Sequence, residues 1–206
     1  MTVRATDPTR SFPTVRAAMS TRALPATTTR PSLLDLAAEV LVANPAASLA
    51  SVAAAAGIGR TTLHKQYATR QELLVAVAHR ALDRCLAAAS SAEQAPDGAT
   101  ALRRLIDALV PVGAQLAFLF RQPSLDAEPA IDKRLCDLDE PIVAAIEAAQ
   151  RDGVLRTDKP IWWFGSTLYA LVYVAWEGIA VGRLAPLDAT ELVVGTLLNG
   201  LGTGHE

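Results

Sequence analysis

Five side chains able to donate hydrogen bonds fall within six positions, Arg60, Thr61, Thr62, His64 and Lys65, inside the stretch AAGIGRTTLHKQYATRQELL at 55–74. Donors of this kind suit the edges of bases and the oxygens of phosphates. Advancing by about 100° per residue puts Thr61 and Lys65 on one side of a helix, flanked by Thr62 and His64, with Leu63 and Tyr67 on the other. The outward face is small, polar and cationic. A recognition helix needs such a face to enter a groove about 12 Å wide while its other side anchors on a scaffold.

The flanking residues predict the elements that hold this face in place. A short helix over 48–55 has Leu49, Val52, Ala53 and Ala56 in one inward stripe, with Ser48 placed to cap its start. Gly57 stands where a left-handed residue must end that helix, and Ile58 follows as the apolar plug of a tight turn. The third helix, over 59–66, begins at once. Thr69 and Glu72 then read as a capping box that opens a fourth helix with Arg70 in its first turn. A cation there opposes the helix dipole, which favours a phosphate nearby. A plain helical hairpin within a larger core is the competing reading. It does not account for the Thr-Thr-x-His-Lys face, the Arg at a helix start and the Gly turn together.

The stretch 55–74, and the chain from about 33 to 78, closely resembles the DNA-binding domain of the TetR family of bacterial regulators. The resemblance implies that Gly59, Arg60, Thr61 and Lys65 read bases and that Thr62, His64 and Arg70 hold the phosphate backbone. Gln66 and Tyr67 complete the candidate DNA-binding set. Arg60 is the best candidate for a bidentate contact to guanine. Two positions depart from the family pattern, His64 where Tyr is usual and Gln66 where His is usual.

Charge is distributed in keeping with a polyanion partner at the N-terminal end. The formal net charge is -2, yet residues 1–30 carry five Arg against Asp7 alone, and residues 81–206 carry a marked acidic excess. The opening repeat, TVRATDPTRSFP then TVRAAMSTRALP, is rich in Thr, Pro and Arg and has no hydrophobic period. It reads as a disordered basic tail over 1–30, either merely solvated or an arm that adds DNA contacts. A translation start at Met19 and a transit peptide are further readings of the same stretch. No apolar stretch near the N-terminus has the length of a secretion signal, and a cytoplasmic location is expected. Cys85 and Cys136 lie far apart with no nearby His, so reduced thiols are expected, with no disulfide and no metal site.

From Pro31 onward the periodicity is helical and no strand is predicted, so the fold class is all-α. Helices are expected near 31–43, 48–55, 59–66, 69–91, 99–121 with a break at Pro111, 131–151, 160–182 and 187–201. The division expected is a DNA-binding domain over 31–78 and a helical ligand-binding and dimerisation domain over 79–206. The latter shows no nucleophile elbow, no catalytic constellation and no cofactor motif. An enzyme exploiting an apolar cavity is the rival reading, motivated only by the aromatic residues.

The uncharged run from Pro160 to Trp176 is long enough to be tested as a membrane span. Ser166, Tyr169, Tyr173 and Glu177 form a polar stripe at helical spacing, however, which suits a buried helix of a soluble bundle. The family resemblance implies a ligand pocket among the middle helices and a homodimer formed through the last two. Candidate ligand contacts are Phe118, Trp162, Trp163, Tyr169, Tyr173 and Trp176, for a small hydrophobic or aromatic effector. The expected whole is a repressor that binds a palindromic operator in double-stranded DNA and is released by that effector. A regulator with no ligand, either an activator or an architectural protein, and a membrane-tethered DNA-binding module are the alternatives.

Overall fold

A computed structural model of the chain describes residues 32–126 and 128–202. The expected basic tail over 1–30 and the expected helix start at Pro31 lie outside the described residues. Among the described residues nine α-helices follow in order: α1 (Leu33–Ala43), α2 (Leu49–Ala55), α3 (Arg60–Gln66), α4 (Arg70–Ala89), α5 (Gly98–Leu109), α6 (Gly113–Phe120), α7 (Pro129–Arg151), α8 (Ile161–Ala180) and α9 (Pro186–Leu201). Among the described residues there is no strand, only an isolated antiparallel bridge between Leu155 and Gly202. The all-α expectation is met.

Local chemistry sets the helix ends. Ser32 Oγ accepts from Asp35 N–H at 3.2 Å while Asp35 Oδ2 accepts from Ser32 N–H at 3.4 Å, so α1 begins after a complete capping box. Ser48 caps α2 through Ser51 N–H at 3.1 Å, and Asp97 caps α5 through Thr100 N–H at 2.7 Å. The expected helix over 99–121 is two helices, α5 and α6, joined by a single 3-10 turn over Val110–Val112 that contains Pro111. The ring of Pro111 removes a donor and obstructs the preceding turn, so an unbroken α-helix cannot run through it. The helix expected to reach residue 91 ends at Ala89, and Ser90–Ala92 continue as a 3-10 turn.

The fourth helix lies in the middle of the packing. It meets α1, α6 and α7, while α5 packs along α7 and α8 along α9. One continuous core results, with Leu41, Leu63, Leu74, Leu105, Phe118 and Phe164 enclosed within it. Close approach is built in at Gly113, where an added Cβ would lie 2.4 Å from Trp176 Cβ. Only a residue without a side chain lets α6 rest on α8 at that point.

Candidate nucleic-acid interface

The turn between α2 and α3 forms as the residue types require. Gly57 has φ +67°, Ile58 N–H donates to Ala53 O at 3.0 Å and Gly57 N–H to Ala54 O at 3.1 Å. This pair of bonds is a Schellman closure, which needs a left-handed residue just past the helix end. Val52 and Ala53 are buried below, and Leu49 and Ile58 pack beside them at the rim of the core. Gly59 occupies the cap position of α3 with extended backbone, and its carbonyl accepts from Thr62 N–H at 2.9 Å.

Leu63 is fully enclosed and is the anchor of α3. Around it Arg60, Thr61, Thr62, His64, Lys65 and Gln66 are all exposed, while Tyr67 is half-buried against the core. The structure thus brings eight of the nine predicted DNA-facing positions, 59–62 and 64–67, onto one short helix and its two ends. Its exposed face carries Arg60, His64 and Lys65 with no acidic residue between them. The preceding helix α2 contributes only Leu, Ala, Ser and Val, so the polar reach of the unit comes from α3.

Arg70 is placed differently. Its Nε donates to the Ala47 carbonyl at 3.3 Å and its Nη2 donates to the Pro45 carbonyl. The guanidinium therefore ties the start of α4 to the turn between α1 and α2. Protein carbonyls satisfy this cation at a helix N-terminus, so its presence there does not require a phosphate. The capping arrangement beside it is also modified. Thr69 Oγ1 accepts from Glu72 N–H at 3.1 Å, as expected, but the Glu72 carboxylate reaches one residue further back, to Ala68 N–H at 2.9 Å.

Asp35, on α1, was not singled out by its sequence context. Its side chain is buried and receives Arg80 Nη2 at 3.2 Å and Arg84 Nη1 at 3.3 Å, both from α4. Burial by itself pushes this carboxyl up, and the hydrogen bonds from Arg80 and Ser32, with the charge of Arg84, outweigh it and hold the carboxyl below its ordinary value. An acid in the first turn of the mostly apolar α1, with two Arg four residues apart on α4, was the available signal.

The six aromatic residues expected to line one pocket are separated by the fold. Phe118 is enclosed in the core. Trp162 and Trp163 are exposed at the start of α8, edge to face with ring centroids 5.6 Å apart. Tyr169, Tyr173 and Trp176 lie further along α8 and are partly buried. Tyr169 donates to Asp139 at 2.8 Å and stacks against Phe120 at 4.8 Å. Tyr173 donates to Glu177 at 3.0 Å, accepts from Arg121 Nη1 at 2.9 Å, and has the Arg121 guanidinium over its ring at 5.3 Å. Burial, with the neighbouring carboxylate second, raises the phenol of Tyr169. Burial also raises that of Tyr173, helped by Glu177 and opposed by Arg121. Phe120 and Arg121 were missed because they end α6, a position that periodicity does not distinguish.

Two open clefts lie elsewhere. One, of about 400 Å³, is lined by Thr69, Gln71, Val75, His79 and Glu128; the other, of about 430 Å³, lies between α5 and α7. Neither is lined by a Phe, Tyr or Trp side chain. Among the described residues no three His, Cys, Asp or Glu side chains are grouped to hold a metal ion. No helix among them is long and apolar enough to cross a membrane.

No family model matches the chain. The HTH-type transcriptional repressor LfrR of Mycolicibacterium smegmatis is 33% identical over 155 residues, which is 75% of this chain and 80% of that protein. The crystal structure of the TetR-like transcriptional regulator LfrR from Mycobacterium smegmatis matches with a TM-score of 0.63 and 28% identity, over 82% of this chain and 97% of that one. Its complex with proflavine matches with a TM-score of 0.65 and 29% identity, over 82% and 93% of the two chains. The ketosteroid transcriptional regulator KstR2 of Mycobacterium tuberculosis has a TM-score of 0.63 at 19% identity, over 84% of this chain and 94% of that one, a likeness of fold alone.

Proposed function

Since the chain belongs to the TetR family of transcriptional regulators, we propose that it is a ligand-responsive repressor that binds a palindromic operator as a homodimer. The observation that carries this reading is the exposed face of α3, where Arg60, Thr61 and Lys65 stand over the enclosed Leu63. Arg60 and Lys65, with Gly59 and Thr61, are the base-reading set. Thr62 and His64 are the phosphate contacts, and Gln66 and Tyr67 close the face. Arg70 belongs to the interface chiefly as the strut that fixes the turn before α2, leaving the edge of its guanidinium for a phosphate. Residues 31–78 are the DNA-binding unit and residues 79–206 the sensing and pairing unit, acting where the chromosome is.

Homodimerisation is supported by apolar side chains left exposed on the last two helices. Trp162 is 65% exposed, Val174 60%, Leu187 92% and Leu192 56%. A second copy placed against them removes this surface from water and supplies the second recognition helix, about 34 Å away, that a palindrome requires. The effector is a small aromatic molecule. Support comes from the Tyr169 and Tyr173 cluster and from the LfrR complex with proflavine. The link between α6 and α7 offers a route from that cluster to the DNA side, since Gln71 Nε2 in the first turn of α4 donates to Ser124 O at 3.2 Å and Glu128 Oε1 at 2.9 Å. Ligand binding changes the separation of the two recognition helices and so releases the operator.

The test is titration of the full chain onto DNA selected by the protein itself, at several salt concentrations. A log-log slope of several phosphates' worth, with affinity weakened in Arg60→Ala with Lys65→Ala, is the expected result. Salt-independent binding contradicts the reading.

A further inference from the structure

We propose that Arg121 is an internal surrogate for the effector: its guanidinium occupies, from within the chain, the site on Tyr173 and Glu177 that a planar aromatic cation takes when it binds. The proposal rests on the effector reading above and adds the charge of the ligand and the residue it displaces. Arg121 caps the C-terminal end of α6, and its guanidinium is a flat, delocalised cation. It lies 5.3 Å from the centroid of the Tyr173 ring and donates to the Tyr173 hydroxyl at 2.9 Å. That hydroxyl in turn donates to Glu177 at 3.0 Å. The arrangement is a ring face with a carboxylate on the hydroxyl at its edge, which is what selects a cation over a neutral aromatic of the same shape. Trp176, with its ring centroid 6.0 Å from that of Tyr173, extends the apolar wall.

Arg121 is bound there in a form that is easily exchanged. Its side chain is exposed and forms no ion pair within 4 Å among the described residues, so its own charge is answered only through the ring and the shared hydroxyl. The next residue, Gln122, is buried, and its Nε2 is, among the described residues, the one buried side-chain nitrogen or oxygen without a partner. Buried donors are normally satisfied, so the segment at the end of α6 has a bond to gain by moving. A ligand cation takes over the Tyr173 face and the charge of Glu177, and the guanidinium swings into water, where it is well solvated. No charge is left buried and unpaired by the exchange.

The experiment is equilibrium binding of proflavine, a planar aromatic cation at neutral pH, to the full-length wild type, Arg121→Ala and Glu177→Gln. Acridone serves as a neutral tricycle of similar shape. Removing the internal competitor tightens proflavine binding about tenfold in Arg121→Ala, and acridone, which needs the same ring face, tightens with it. Glu177→Gln weakens proflavine by a similar factor and spares acridone. Arg121→Gln, which keeps a polar side chain but not its charge, reproduces the gain. Proflavine affinity that is equal or lower in both Arg121 variants, or absent throughout, overturns the proposal. Tighter proflavine binding in Arg121→Ala without release of DNA keeps the surrogate and rejects the effector reading instead.

Discussion

Asp35 on α1 and Arg80 on α4 meet through two hydrogen bonds, Arg80 Nη2 to Oδ2 at 3.2 Å and Nε to Oδ1 at 3.3 Å, and Arg84 adds a second cation at 3.3 Å. The same carboxylate closes the N-terminus of α1 by accepting from Ser32 N–H. One buried acid thus fixes both where α1 starts and how it lies on α4. Through α4 it sets the platform on which α2 and α3 stand.

Asp35→Ala removes the box and the fork together and is expected to cost about 1–2 kcal/mol, because Arg80 and Arg84 are part exposed and can be rehydrated. Equilibrium urea unfolding measures it. The carboxyl is held below its ordinary value of 3.8, so its contribution is fully present above that pH and is lost as pH falls through the lower folded value. Between pH 7 and pH 5 the gap between wild type and variant stays constant. It narrows only in the acid range below about pH 4.

Arg70→Ala separates strut from phosphate contact. Loss of the bonds to the Ala47 and Pro45 carbonyls loosens the turn between α1 and α2, so the variant loses about 1 kcal/mol of stability as well as DNA affinity. Lys65→Ala loses affinity alone. Thermal unfolding and fluorescence anisotropy on the same two preparations distinguish them, and a fully stable Arg70→Ala rejects the strut.

Gly113→Ala forces a methyl group to within 2.4 Å of Trp176 Cβ, on a backbone that cannot yield without moving α6 off α8. The cost expected is about 1–3 kcal/mol of unfolding free energy. Gly165→Ala on α8 has open space around the added carbon and gains about 0.5–1 kcal/mol from helix propensity. Opposite signs in a denaturant midpoint comparison check this pair.

The two cysteines differ by burial. Cys85 is enclosed, and burial pushes its thiol up to about 12, whereas Cys136 is exposed. The native protein therefore releases one equivalent of chromophore from a thiol-exchange reagent at pH 8, and a second appears only on unfolding.

The helix-turn-helix was legible because each part has its own local signal: Ser48 as a cap, Gly57 as a left-handed stop, Leu63 as the one inward anchor of α3. Helix ends elsewhere followed from Pro and from caps for the same reason, and the break at Pro111 fell where its missing donor dictates. Long-range pairings were not legible. Asp35 with Arg80, and Arg121 with Tyr173, join positions 45 and 52 residues apart in the chain, and periodicity carries no information about which faces meet. Which members of the aromatic set share a site was not legible for a related reason. Helical spacing places Trp162, Trp163, Tyr169 and Tyr173 along one helix but does not say which side of it meets the core, the solvent or a second subunit.

Selection of DNA from a random pool by the full-length chain tests the central claim most directly, with Arg60→Ala and Lys65→Ala carried in parallel. The account predicts an enriched palindrome with half-sites one helical turn, or a multiple of it, apart. It also predicts that the two variants lose preference at particular positions within each half-site while keeping helical content and dimer. Enrichment of no sequence by the wild type, or the same palindrome chosen with unchanged preference by both variants, contradicts it.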